Sequence, residues 1–372
     1  MKLTKLYIHN YKSFYDTTIE LDKLNIVVGE NNSGKSNLID VLEFIQLARK
    51  TDFYIAISKK GGFNKILNYN YNEKNIVFEL EFEDDNFLIK VRFTINVQVS
   101  VISLIIYAKV KNNIIPLHIN ASRKNKENKM RDKVYNCNEN ITKLNIGDKL
   151  FLLQFSFINM LTSFSSTYYF NSQEIKNKSN QDNYNQELMR DGSNLGKILY
   201  EIKEKDKNRF DMISNSLITI VNEIDGIAVE ESLGSYNIGF RKLDKKIIPI
   251  HIVSDGTVNF LATITALNSF TESLLLAFEE PERHLHLNAV NYMLQAFRES
   301  DKQIILTTHS TEIIKYADLK EVVFIYRDSD GDTQSIRADA IPNLKRKMER
   351  LGYKRDVTLD ELIGEGMIGT FE

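Results

Sequence analysis

Gly29-Glu30-Asn31-Asn32-Ser33-Gly34-Lys35-Ser36 stands between two patterned stretches. Before it lies the apolar run Leu24-Asn25-Ile26-Val27-Val28, and after it Leu38, Val41, Leu42 and Ile45 recur at i, i+3, i+4 and i+7. The first predicts a short buried strand, the second a helix packed on a sheet. Strand, glycine loop and helix in that order direct the chain toward an α/β fold. The octapeptide fits G-x-x-x-x-G-K-[ST], a phosphate-binding loop. Gly29 and Gly34 let the backbone turn and leave its N–H groups open to an anion. A helix start near Lys35 adds unpaired N–H groups and the positive end of its dipole. Lys35 is expected on the β- and γ-phosphates of a nucleotide, and the Ser36 hydroxyl on Mg2+.

A chain of 372 residues can form one large or two medium domains. Lys+Arg number 48 and Asp+Glu 50, so the formal charge of −2 supplies no overall basic field for nucleic acid. The single cysteine, Cys137, rules out an internal disulfide and suits a reducing compartment. No run reaches the length of a membrane span, and the start Met-Lys-Leu-Thr-Lys lacks a signal peptide's apolar core. The expected location is the cytoplasm, with no membrane contact. Internal repeats and long heptad arrays are absent from the sequence.

Residues 2–9 and 16–21 read as strands flanking a loop at Tyr11-Lys12-Ser13-Phe14, and 35–50 as the helix after the glycine loop. Ile76–Phe82, Phe87–Ile95, Val99–Val110 and Ile114–Ile119 are β-branched and aromatic runs, which predict an antiparallel subdomain. Residues 121–148 lose periodicity, and their basic run (Arg123, Lys124, Lys126, Lys129, Arg131, Lys133) reads as a solvated hairpin or a contact for nucleic acid or an acidic partner. A polar stretch over 171–190 leads to Asp191-Gly192-Ser193-Asn194-Leu195, where Asp or Ser could cap a helix with the stripe Leu195, Ile198, Leu199. A further helix carries Met212, Ile213, Leu217 and Ile220, and a hairpin over 227–250 follows.

Four features after residue 250 bear on chemistry. Ser254-Asp255-Gly256-Thr257 opens a helix with Val258, Leu261, Ala262 and Thr265 on one face, and small residues there can present N–H groups to an anion. Leu274-Leu275-Leu276-Ala277-Phe278-Glu279-Glu280-Pro281 is a buried strand ending in adjacent carboxylates, which alternation would send to opposite sides. Glu279 is assigned to the metal and Glu280 as general base. His284 and His286 lack the further ligands of a zinc site. Gln303-Ile304-Ile305-Leu306-Thr307-Thr308-His309-Ser310 is a strand delivering His309 to its C-terminal end, where it could sense a γ-phosphate.

Together these residues resemble the ATP-binding-cassette ATPases of the SMC/RecF/OLD-like group, closest to bacterial stand-alone heads of that group. The shared segments are Asn10 to Phe14, Gly29 to Asn37, Asp191 to Leu195, Ser254 to Thr257, Glu279 to His286, Thr307 to Ser310, and a C-terminal pattern over Leu359 to Gly369. The resemblance implies an α/β ABC-ATPase head, a P-loop NTPase with an antiparallel β subdomain and a helical insertion. Its expected parts are an N-terminal lobe at 1–170, the insertion at 171–225, the second half of the core at 226–334 and a helical appendix at 335–372. It implies ATP and Mg2+ as ligands, with Lys12, Gly29, Asn31, Asn32, Ser33, Gly34, Lys35, Ser36 and Asn37 around the nucleotide. Ser36 and Glu279 would hold the metal, and Glu280 and His309 would be catalytic. It also implies a head-to-tail homodimer in which Ser254, Asp255, Gly256 and Thr257 of one copy cover the ATP of the other. Gln154 and Gln173 are both open as the glutamine that usually senses the metal, and His286-Leu287-Asn288 departs from the usual proline after the histidine loop.

No coiled coil interrupts the two halves of the motif set, so a DNA tether is not expected. About sixty residues follow His309, too few for an appended nuclease domain. Asp328-Ser329-Asp330-Gly331-Asp332 reads as a hairpin turn. The basic positions from Lys345 to Arg355 read as a solvated helix face or a site for DNA phosphates. The function expected is an ATPase whose assembly controls a partner, a nuclease or toxin in anti-phage defence. The alternatives are a DNA-binding repair ATPase of RecF type and a switch that binds ATP without hydrolysing it.

Overall fold

The computed structural model describes residues 1–84, 87–96, 99–110, 113–124, 164–178, 186–341 and 344. The N-terminal part comprises β1 (Lys2–His9), β2 (Thr17–Glu20), β3 (Leu24–Val28), α1 (Lys35–Lys50), α2 (Phe53–Lys59) and α3 (Phe63–Ile66). Long strands follow: β4 (Ile76–Glu83), β5 (Phe87–Ile95), β6 (Val99–Val110) and β7 (Asn113–Lys124). Then come β8 (Ser165–Tyr168), α4 (Ser172–Lys178), α5 (Leu195–Lys205), α6 (Lys207–Ile220), β9 (Ile224–Ser232), β10 (Ser235–Lys242) and β11 (Ile247–Pro249). The remainder is α7 (Asp255–Asn268), β12 (Leu275–Glu279), α8 (Leu287–Glu299), β13 (Gln303–Thr307), α9 (Thr311–Tyr316), β14 (Val322–Arg327) and β15 (Thr333–Arg337).

A six-stranded sheet in the order β15-β14-β3-β13-β12-β8 carries the site. Its strands are parallel except for the β14–β15 hairpin. Both faces are covered, which is why its strands read as continuous apolar runs. Ile26, Val28, Leu276, Phe278, Ile304 and Leu306 face one core, shared with Leu199, Leu217, Leu261 and Phe297 of the helices. Val27, Leu275, Ala277 and Ile305 face the other, shared with Leu38, Leu42 and Ile45 of α1 and with Leu6, Phe78 and Val91. Helix α1 is thus held between the parallel sheet and an antiparallel one in the order β2-β1-β4-β5-β6-β7. Gln303 ties the two sheets: its Oε1 accepts from the Leu3 N–H at 2.9 Å, and its Nε2 donates to the carbonyls of Leu3 at 2.7 Å and Asp22 at 2.8 Å.

Several expectations change. The predicted antiparallel unit is continuous with the N-terminal strands, because β4 pairs with β1. Strand β7 continues to Lys124, so Arg123 and Lys124 belong to a strand. Lys126 to Lys133, Cys137, Gln154, and residues 345–372 lie outside the described residues. The polar connector contains α4, and the hairpin over 227–250 is a three-stranded sheet, β11-β10-β9. Neither Asp191 nor Ser193 caps α5: the Asp191 carboxylate accepts from the Ser193 N–H at 3.0 Å, and Asn194 occupies the cap without a side-chain bond. Asn194 instead pins the preceding turn, accepting from Met189 N–H at 2.8 Å and donating to the Glu187 carbonyl at 2.9 Å. On α6, Met212 is exposed, and Phe210, Ile213 and Leu217 face the core. No helix among the described residues is long and apolar enough to cross a membrane.

Candidate nucleotide site

Parallel strands bring their C-terminal ends to one edge, and the predicted residues meet there. Gly29 follows β3, Glu279 ends β12 with Glu280 next after it, and His309 lies two residues past β13. The glycine loop leaves no room for side chains at its glycines. A Cβ on Gly29 would come 2.0 Å from the Ile325 carbonyl oxygen, and Gly34 has φ +116°, with a Cβ position 2.4 Å from Thr333 Oγ1. Thr333 Oγ1 donates to the Ser33 carbonyl at 2.8 Å and lies 2.8 Å from Ser13 Oγ, which also accepts from Asn37 Nδ2 at 2.8 Å. Asn32, with φ 66°, takes the left-handed conformation that asparagine tolerates, and its carbonyl accepts from Arg327 Nε at 3.0 Å. Asn31 is exposed beside it. Gly29→Ala is expected to cost about 1–3 kcal/mol, because the clash with the Ile325 backbone cannot be relieved by a side-chain rotation. A lowered thermal midpoint together with weakened nucleotide binding is the expected result, and an unchanged midpoint would contradict it.

Lys35 is buried, and its Nζ donates to the carbonyls of Gly29 and Glu30, both at 2.7 Å. Burial pushes its ammonium down to about 8, against the pull of Glu280 and Glu30. The Ser36 hydroxyl donates to Glu279 Oε1. A hydroxyl and a carboxylate in direct contact are the hard oxygen donors Mg2+ takes when phosphates complete its shell, so these residues fit that ion. Among the described residues no group of three or more His, Cys, Asp or Glu is placed to hold a metal ion.

Glu280 departs from the expected strand alternation. Its φ is 47°, and its N–H donates to the Thr307 carbonyl at 2.9 Å, so a left-handed turn, not the pleat, separates it from Glu279. Its carboxylate lies 3.6 Å from His309 Nε2 and 3.4 Å from Arg283 Nε. Burial and the Lys35 charge hold the His309 imidazole below its ordinary value, with Glu280 opposing, so His309 is neutral near pH 7.

Glu282, read from the sequence only as part of a shared segment, has a buried carboxyl. Oε1 accepts from the Thr308 hydroxyl, and Oε2 is buried without a hydrogen-bond partner. Burial, with Thr308 opposing and Glu280 adding, raises it to about 7 from an ordinary 4.5. A raised carboxyl means the folded state binds the proton more tightly than the unfolded one. Its ionisation therefore costs stability as pH rises from 4.5 through 7, and the cost is absent below 4.5. Glu282→Gln, neutral and of the same shape, is expected to stabilise the head by about 1–3 kcal/mol at pH 8 and by nothing at pH 4. Thermal midpoints at the two pH values measure it; an equal difference at both would contradict the assignment.

Lys12, placed near phosphates by the resemblance, sits on Asp40 at 2.6 Å, with φ 49°. Asp40 also receives Lys60 and the Tyr11 hydroxyl, and Lys60 reaches Glu43 at 2.8 Å. Ser254 caps α7, accepting from the Thr257 N–H at 3.2 Å. Gly256 packs so closely on the His284 carbonyl that a Cβ would lie 2.1 Å from it, and Asp255 pairs with Lys176 at 2.6 Å. The 254–257 turn is thus fastened to the loop that follows Glu280. Gln173 is exposed in the first turn of α4.

A cavity of about 670 Å³ opens beside the glycine loop, lined by Ser36, Tyr169, Met189, Arg190, Asp191, Glu279 and Glu280. Arg190 was not singled out from the sequence. The only signal was its place immediately before Asp191-Gly192-Ser193-Asn194-Leu195.

Comparison with known proteins gives the family and the fold. The family described as "AAA domain, putative AbiEii toxin, Type IV TA system" matches residues 24–315. A protein of Helicobacter pylori (strain ATCC 700392 / 26695) named "ATP/GTP phosphatase" is 21% identical over 342 residues, 84% of this chain and 86% of its own length. Among solved structures, an SMC head bound to the C-winged helix domain of ScpA aligns with a TM-score of 0.55 at 16% identity, covering 90% of this chain and 98% of that one. The SMC head domain from Thermotoga maritima aligns with a TM-score of 0.47 at 15% identity, covering 91% and 99%. The first of these shares the P-loop NTPase fold described above.

Proposed function

This chain belongs to that AAA-domain family and is an ATPase, and from that premise we propose that two copies close head to tail over shared ATP, ABC-style, to gate an effector. The observation that carries the reading is the convergence of Lys35, Ser36, Glu279, Glu280 and His309 on one sheet edge. Lys35, already directed along the loop by the Gly29 and Glu30 carbonyls, holds the β- and γ-phosphates. Ser36 and Glu279 hold Mg2+, which when bound neutralises charge on the phosphates. Glu280 accepts the proton of the attacking water, and neutral His309 beside it orients that water or the terminal phosphate. The fastening of Gly256 to the His284 carbonyl supports a role for the 254–257 turn in trans, because a neighbour docking on that turn would act on the loop bearing Glu280.

Ser254→Arg tests the dimer. Ser254 is exposed, so the substitution removes a helix cap worth about 1 kcal/mol and leaves the monomer folded. ATP should still bind, while the ATP-dependent dimer of the wild type disappears in sedimentation. A variant that dimerises normally would contradict the arrangement. The toxin named in the family's description supports a nuclease or toxin partner in anti-phage defence, in the cytoplasm. Toxicity or nuclease activity requiring both this chain and a neighbouring gene, and lost with Lys35→Ala, would be its signature.

A further inference from the structure

Both carboxylate oxygens of Glu279 are already engaged. Ser36 Oγ donates to Oε1, and Arg190 Nη2 donates to Oε2 at 3.3 Å. The other arm of the guanidinium, Nη1, donates to Glu43 Oε2 at 3.0 Å. Glu43 also carries Lys60, so a row of alternating charges runs from Lys12 through Asp40, Lys60, Glu43 and Arg190 to Glu279. Arg190 is the cation of that row that lines the cavity, facing the same space as Ser36, Glu279 and Glu280. Its side chain is 42% exposed, so a ligand in the cavity can reach it.

Ser36 and Glu279 would turn toward Mg2+ on binding it with ATP, and Arg190 would then lose one of its two carboxylates. A guanidinium left beside an incoming polyanion has a better partner than water, because its planar fork matches phosphate oxygens. Glu43, still bound through Nη1, keeps the side chain at the cavity wall. We propose that Arg190 exchanges Glu279 for the terminal phosphate of ATP and thereby distinguishes ATP from ADP. While bound to Glu279 the same residue closes the metal-binding carboxylate, so one side chain reports both states. This inference rests on the nucleotide-site reading given above.

Backbone anchors the segment independently of the side chain, since the Tyr169 N–H donates to the Arg190 carbonyl at 2.8 Å. Arg190→Ala and Arg190→Lys can therefore be compared with wild type by calorimetric titration with Mg·ATP and Mg·ADP. Arg190→Ala is expected to weaken ATP by roughly 10- to 100-fold, the range of a charge-assisted bond, and ADP by less than about threefold. Arg190→Lys keeps the charge without the fork and should recover part of the ATP affinity alone. Equal losses for the two nucleotides, or no loss for ATP, would overturn the assignment. If Arg190→Ala does not fold, the lysine variant decides: an ATP-selective loss supports the role, and an unselective change refutes it. Wild type that binds neither nucleotide would sink the phosphate-loop reading instead.

Discussion

Glu280→Gln is expected to stop steady-state phosphate release while leaving ATP bound, with the rate falling by roughly 10²- to 10⁴-fold, the usual contribution of a general base. The expectation follows from where Glu280 stands. Its left-handed turn is fixed by a backbone bond to the Thr307 carbonyl, which glutamine leaves intact. Glutamine is also the same size, so packing beside Arg283 and His309 persists and the loss falls on proton acceptance alone. With hydrolysis blocked, the ATP-closed dimer should accumulate, visible in sedimentation as a species that ADP does not produce. Normal hydrolysis by the variant would remove Glu280 from the role and direct attention to its neighbour Glu282.

Lys35→Ala should give the opposite split. Nucleotide binding itself is expected to fall by about 10²-fold or more, since a buried ammonium facing phosphate forms charge-assisted bonds that water cannot replace. The variant also frees the Gly29 and Glu30 carbonyls that now accept from Nζ. Solvent can reach the loop, so the folding cost should be modest, about 1–2 kcal/mol. Comparing the two variants by binding and by phosphate release separates holding the nucleotide from cleaving it. A Lys35→Ala protein with wild-type affinity would mean that the loop does not use this lysine for phosphate.

Local pattern made much of the fold legible. Helix α1 runs Lys35–Lys50 and β5 runs Phe87–Ile95, at the bounds their periodicity predicts. Parallel strands read as unbroken apolar runs because both faces are buried, and the β14–β15 turn was visible in its Asp and Gly residues. Prediction failed where side chains choose among distant partners. Met212 continued an apolar stripe yet is exposed among the described residues, while Phe210, Ile213 and Leu217 take the buried face of α6. Asp191 and Ser193 had the chemistry of caps, but the Asp191 carboxylate bonds the Ser193 N–H and Asn194 takes the cap position of α5.

The order of strand, glycine loop and helix, with its lysine and serine, was determined by the sequence alone, because that chemistry lies within eight consecutive residues whose spacing sets their geometry. So was the pair of carboxylates at a strand end. Only the tertiary structure decided what those groups touch. Ser36 meets Glu279 across 243 positions, and Arg190 joins Glu43 and Glu279 across 147 and 89. Such contacts arise when separate strands end at one edge, and a local hydrophobic period carries no information about which loops that edge will gather.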